Sequence, residues 1–235
     1  MNIEKHILSK STYIRSLQCL KSLFLYKYYY KLRDPISVEL QVRFDKGHNI
    51  GRLAQQLFPG GFDASPDQPF NYYKSVALTQ ELILKGYDTI YEASFQFEKV
   101  LAIADILVKR DGKWFAYEVK SSLSISETYL KDAALQYFVI VNSGIRLEDF
   151  SIIYLNQKLD EALINQPSKI FTEQSVLEYC KSQNDFVKNN ISTAKNIIEK
   201  RIIPDIETGD HCLKPYRCDF FTFCHRTEPE PGKLF

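Results

Sequence analysis

The chain has no long apolar run. None of its 235 residues belongs to a stretch near the roughly 18 consecutive apolar positions of a membrane span, and the opening MNIEKHILSK has no apolar core of signal-peptide length. These two absences predict a cytoplasmic chain with no membrane partner. Net charge is scarce as well, at +1, so no global field draws in a polyanion. The charge is unevenly placed, however: residues 1 to 60 carry ten Lys and Arg against four acids. That excess is either a solvated helix face or a nucleic-acid surface. Internal repeats, low-complexity tracts and linkers are missing. With 45% hydrophobic residues the chain can bury a full core, which predicts one domain over 1–235. In a reducing compartment five cysteines do not make a disulfide framework, so metal binding or plain burial must account for them.

The pattern of apolar residues sets the elements. LSKSTYIRSLQCLKSLFLYKYYYKLRD (8–34) has the three-and-four spacing of a helix, capped near Ser9 or Ser11 and ended before Pro35. A second helix is expected over 37–58 and a third over 73–87, closed by Gly86. From 88 to 122 the period changes to two with β-branched and aromatic enrichment, a meander of three strands. A helix (126–144), a strand (149–157) and one long amphipathic helix (173–202), broken by Pro204, complete the chain. The order of elements predicts an α/β fold around a small mixed sheet flanked by helices. Its parts are N-terminal helices at 1–60, a core at 88–160 and a long helix with a cysteine-rich tail at 172–235.

The meander carries the sharpest inference. In ILVKRDGKWFAYEVK an Asp-Gly pair separates two strand-like runs, the favoured filling of a two-residue type I′ turn. With Asp111 and Gly112 as the loop, opposed residues have numbers summing to 223, which places Asp105 across from Glu118. Their Cβ atoms would then be about 4.5 to 5.5 Å apart on one sheet face. Lys120, two residues beyond Glu118, projects from the same face. Facing carboxylates repel unless a cation lies between them, and Mg²⁺ or Mn²⁺ takes oxygen ligands of this kind. A lysine beside such an ion can orient a water or stabilise charge on a phosphoryl oxygen. The plain alternative is an exposed cluster of cross-strand charges.

Asp105 followed by EVK at 118–120 resembles the core of PD-(D/E)XK nucleases, in its RecB-like branch. The resemblance implies that Asp105 and Glu118 hold Mg²⁺ or Mn²⁺, with His48 of FDKGHNIGRLAQQLF as a further ligand and Val119 lending its carbonyl, while Lys120 assists the water. The branch also carries a Gln-x-x-x-Tyr motif after the hairpin. Gln136 supplies the glutamine, as an active-site or DNA-side contact, but position 140 is Ile and the nearby tyrosine is Tyr137. Glu92 on the preceding strand is either a second-metal acid or a structural one.

The cysteines extend the resemblance. LSKSTYIRSLQCLKSLFLYK is similar to the segment with which AddB-type and CRISPR-associated RecB-like nucleases supply the first cysteine of a 4Fe-4S cluster, the other three coming from the C-terminal tail. Cys19 with Cys212, Cys218 and Cys224 repeats that one-plus-three arrangement, although both tail gaps here are five residues. Four thiolates suit the cluster, and zinc is the chemical alternative. Cys180, on the expected long helix, reads as a buried thiol. The resemblance implies a metal-dependent deoxyribonuclease, an exonuclease acting at or near single-stranded DNA ends, with a helicase or integrase as partner protein. The YKYYYK run at 26–31 would serve phosphate contact and stacking, or helix packing. The other class of function is a non-catalytic nucleic-acid-binding or assembly subunit of a repair or CRISPR adaptation complex.

Overall fold

The computed structural model describes residues 5–68, 71–156 and 166–226, without the side chains of 39, 40, 43–46 and 48. The chain divides into two compact units, one of Met1–Lys10 with Val38–Lys188 and one of Ser11–Ser37 with Asn189–Phe235.

The first unit is a mixed sheet of seven strands with helices packed against it. Its strands are β1 (Leu8–Ser9), β2 (Phe62–Asp63), β3 (Thr89–Phe97), β4 (Val100–Arg110), β5 (Lys113–Lys120), β6 (Leu147–Leu155) and β7 (Phe171–Ser175). They lie in the order β2-β3-β4-β5-β6-β7, with β1 paired to β4. The expected meander is therefore present, inside a sheet larger than the four expected strands. The Asp111–Gly112 turn forms as read: both residues have positive φ, 50° and 76°, and the register runs Arg110↔Lys113, Lys109↔Trp114, Val108↔Phe115, Leu107↔Ala116 and Ile106↔Tyr117. The β3–β4 turn, Glu98–Lys99, also takes two positive φ values, 45° and 64°, without a glycine.

Alternation along β5 sends its side chains to two faces. Tyr117, with Ile106, joins a buried cluster containing Ile50, Leu53 and Ala54 from α3 (Val38–Gln55). Burying each such side chain is worth about 1.5–3 kcal/mol, enough for this cluster to fix the strand's orientation. Glu118 then has the opposite face, where α5 (Glu127–Asn142) packs. Ser126 caps that helix, accepting from the Tyr129 N–H at 3.3 Å. The helix α4 (Tyr72–Leu84) packs on β3 and ends at Gly86, whose φ is +82°.

Two expectations need correction. The long helix of 173–202 is instead the edge strand β7, then α6 (Leu177–Ser182) and α7 (Asn184–Lys200). Pairing with β6, from Ser151↔Ser175 to Leu155↔Phe171, outweighs the local helical pattern there. The first helix is also two, α1 (Lys10–Gln18) and α2 (Leu20–Tyr28), separated at Cys19. Cys19 is extended (φ −164°, ψ 118°), and this breaks the helix at the thiol.

The second unit contains α1 from Ser11 on, α2, the later part of α7, 3₁₀ turns at Tyr30–Leu32 and Asp210–Cys212, and the four-residue α8 (Phe221–Cys224). Leu25, Cys218 and Phe220 form its buried centre, with Leu32, Ile203 and Phe223 packed around them.

Candidate functional site

The sheet ladders fail at one level, and the site lies there. Pairing between β3 and β4 skips Glu92 and Asp105, between Tyr91↔Ile106 and Ala93↔Ala104. Pairing between β4 and β5 ends at Ile106↔Tyr117, one step before Asp105 and Glu118. In its place Asp105 Oδ2 accepts the Val119 N–H at 2.6 Å. Glu92, Asp105 and Glu118 thus form a row of acids across three neighbouring strands. Glu92 has φ 53°, a left-handed conformation costly for a non-glycine residue.

The open end of the β4–β5 pair is entered by the N-terminus. Strand β1 pairs in parallel with Val100 and Leu101 of β4. Because β3 also pairs with those residues, β1 takes the same edge of β4 that β5 leaves. Lys10, the next residue, reaches Glu118 Oε1 with its Nζ at 2.8 Å and lies 3.7 Å from Asp132 Oδ2. Lys120 Nζ donates to the same Glu118 oxygen at 2.5 Å and to Asp132 Oδ2 at 2.7 Å. Gln136 Nε2 donates to Glu118 Oε2 at 2.7 Å. Glu118, Asp132 and Gln136 are buried. Gln136 Oε1, also buried, has no hydrogen-bond partner.

Four carboxylates therefore meet two lysines. Burial would raise the Glu118 carboxyl, but the ammonium groups of Lys10 and Lys120 outweigh it and hold it well below the carboxylate range. Lys120 is raised despite its burial, by Asp132 and Glu118. The lysines do not satisfy the rest of the row. Asp105 is raised well above the usual range by burial and by Glu118. Glu92 is pushed up to about 7, by burial first and by Glu118 and Asp63 as well. With all four acids ionised the cluster lacks two positive charges, the charge of one hard divalent ion, and oxygen is the donor such ions take. The donor set and the charge therefore both fit Mg²⁺ or Mn²⁺. Among the described residues no three His, Cys, Asp or Glu side chains are already drawn together as a cage for one ion. Glu118 is engaged by lysines instead.

Of the residues singled out in the sequence, Asp105, Glu118, Lys120 and Gln136 are brought together here. Val119 contributes its N–H to Asp105. His48 falls in α3, and its side chain lies outside the described residues. Tyr137 is buried as core, as is Ile140. Lys10 and Asp132 were missed. Asp132 had a signal, since it precedes Gln136 by four positions and shares its helix face. Lys10 had none, because only the β1–β4 pairing brings it across the chain.

The second unit gathers the other four predicted residues. Cys19, Cys212, Cys218 and Cys224 line one small cavity that is partly open to solvent, and all four are free thiols. Cys218 Sγ lies 3.4 Å from Ser22 Oγ and accepts the Phe220 N–H at 3.5 Å. Burial raises the Cys19 thiol, while the backbone N–H groups of Ser22 and Lys21 oppose the shift. Burial pushes Cys224 up to about 11; Lys21 opposes this, and the other three thiols add to it. Thiols that raise one another in a half-enclosed cavity with N–H donors suit an iron-sulfur cluster or zinc, both of which take four deprotonated sulfurs. Cys180 lies in the first unit, fully buried and pushed up to about 12 by that burial. In the YKYYYK run Tyr28 donates its hydroxyl to the Ile198 carbonyl at 2.5 Å, a packing role, whereas Tyr30 is exposed beneath the Arg33 guanidinium.

No protein-family model and no curated protein matches the chain. Among solved structures, the crystal structure of SSO0001 aligns with all of this chain and 90% of its own, at 12% identity and a TM-score of 0.46. A likeness that distant says nothing about function.

Proposed function

We propose that the protein is a metal-dependent deoxyribonuclease built on a PD-(D/E)XK core, hydrolysing phosphodiester bonds at or near single-stranded DNA ends, with a structural 4Fe-4S cluster in its second unit. The observation that supports this most is the row Glu92, Asp105 and Glu118 beside Lys120, in a cluster whose four acids, when ionised, exceed its two lysines by two charges. A divalent ion held by Asp105 and Glu118, with Glu92, His48 and the Val119 carbonyl as further donors, would supply Lewis acidity and a water of lowered pKa.

The chain's own groups do the rest. Gln136 and Lys120 fix the two oxygens of Glu118, and the Val119 N–H fixes Asp105, so the acids are pre-set before substrate arrives. Asp132 anchors the Lys120 ammonium, leaving a fixed cation beside the acids that can hold an attacking water or a phosphoryl oxygen. The four thiols would join α2 to the C-terminal tail through the cluster, so assembly contributes folding free energy.

Purified protein is expected to degrade end-labelled single-stranded DNA with Mg²⁺ or Mn²⁺ and not with a chelator. Asp105→Ala and Lys120→Ala are each expected to reduce the rate by at least about 100-fold, the scale of a lost electrostatic or acid–base group. Wild-type rates in both variants would overturn the assignment and leave DNA binding without catalysis.

A further inference from the structure

Lys10 is the part of the cluster that the nuclease reading does not use. It is the residue after the two-residue strand β1, held in the opening where β4 and β5 separate. Its Nζ donates to the same Glu118 oxygen as Lys120. The two lysines differ in setting. Lys120 keeps a second short contact, to Asp132 at 2.7 Å, and is 14% exposed, whereas Lys10 lies 3.7 Å from Asp132 and is 32% exposed. Lys10 also acts on all three acids of the row, lowering Glu92, Asp105 and Glu118.

A single ammonium acting on three acids supplies part of the charge that a divalent ion would supply there. From these contacts we infer that Lys10 is an internal counter-ion, occupying Glu118 until a divalent ion arrives and moving from Glu118 toward solvent when it does. The inference rests on the metal reading of the site. Without any cation the row of acids would repel itself at the open end of the β4–β5 pair, so Lys10 holds the metal-free site together. Its charge opposes that of the incoming ion, so it also weakens metal binding. The partial exposure of its side chain gives it a route out, which Lys120, tied to both Glu118 and Asp132, does not have. Lys10 is in this sense a positioning residue that tunes the site by occupying a ligand.

The test is Mn²⁺ binding to the full chain, followed by calorimetry and by the electron paramagnetic resonance of free Mn²⁺. Lys10→Gln is expected to bind Mn²⁺ at least about tenfold more tightly than wild type, because a unit charge a few ångströms from the ion is removed. Lys10→Arg is expected to stay near the wild-type affinity. A merely structural lysine would give the opposite result, weaker binding in Lys10→Gln or none. Independently of any variant, amine labelling read by mass spectrometry is expected to find Lys10 at least about threefold more reactive with Mn²⁺ than with a chelator, and Lys120 unchanged. If wild type binds Mn²⁺ while Lys10→Gln binds it no more tightly and Lys10 labelling is unaltered, the counter-ion role is wrong and the metal site stands. If wild type binds no Mn²⁺ at all, the metal reading falls and this inference with it.

Discussion

Replacing Glu92 with Gln should change how stability depends on pH. Glu92 lies in the row of acids with its carboxyl displaced from an ordinary 4.5 to about 7, chiefly by burial. A carboxyl raised by folding binds its proton more tightly in the native state. Its contribution to stability is therefore fully present below about 4.5, declines as pH rises through the window up to about 7, and is gone above it. The displacement corresponds to about 3 kcal/mol at pH 8 relative to pH 4. Gln carries no charge at either pH and keeps the side-chain length, so Glu92→Gln should be close to wild type in acid and up to about 3 kcal/mol more stable at pH 8 in chelator. Asp105 is raised in the same direction, so wild type retains some pH dependence after the substitution. Trp114, the chain's one tryptophan, is buried in β5 and reports urea unfolding of the sheet by fluorescence. Parallel stability profiles for the two proteins between pH 5 and pH 8 would refute the reasoning. Adding Mn²⁺ should stabilise wild type more at pH 8 than at pH 5, where a proton occupies Glu92 and competes with the ion.

Other substitutions test separate parts of the structure. Gly112→Val, at φ +76° in the β4–β5 turn, should cost about 1–2 kcal/mol in urea unfolding, since a β-branched residue does not tolerate that conformation. Cys218→Ser should remove iron and brown colour from anaerobically purified protein, whereas Cys180→Ser, in the other unit, should leave both unchanged. Colourless wild-type protein holding one zinc would replace the cluster.

The site was legible in sequence to the extent that it depends on local rules. One Asp-Gly turn fixed a register, the register fixed the parity of the strands, and parity put Asp105, Glu118 and Lys120 on one face. The Glu98–Lys99 turn could not be typed in the same way, because neither residue is one that favours positive φ. What depends on distant pairing was hidden. Lys10 joins the site through Leu8↔Val100, and β7 is a strand because β6 offers it an edge, although Val176, Leu177 and Cys180 beyond it have helical spacing. The break at Cys19 was equally invisible, since the surrounding apolar residues keep a helical period through it. The sequence leaves Glu92 open between a second-metal acid and a structural one, and only the skipped pairing opposite Asp105 and its positive φ mark it as part of the row.

The charge deficit in the row of acids is tested most directly by a crystal structure of the protein grown with Mn²⁺, using the anomalous signal of the ion. The expected result is a peak about 2.0–2.4 Å from carboxylate oxygens of both Asp105 and Glu118, lost in Asp105→Asn. A wild-type map with no peak on those oxygens, at a concentration of Mn²⁺ that supports cleavage, would contradict it.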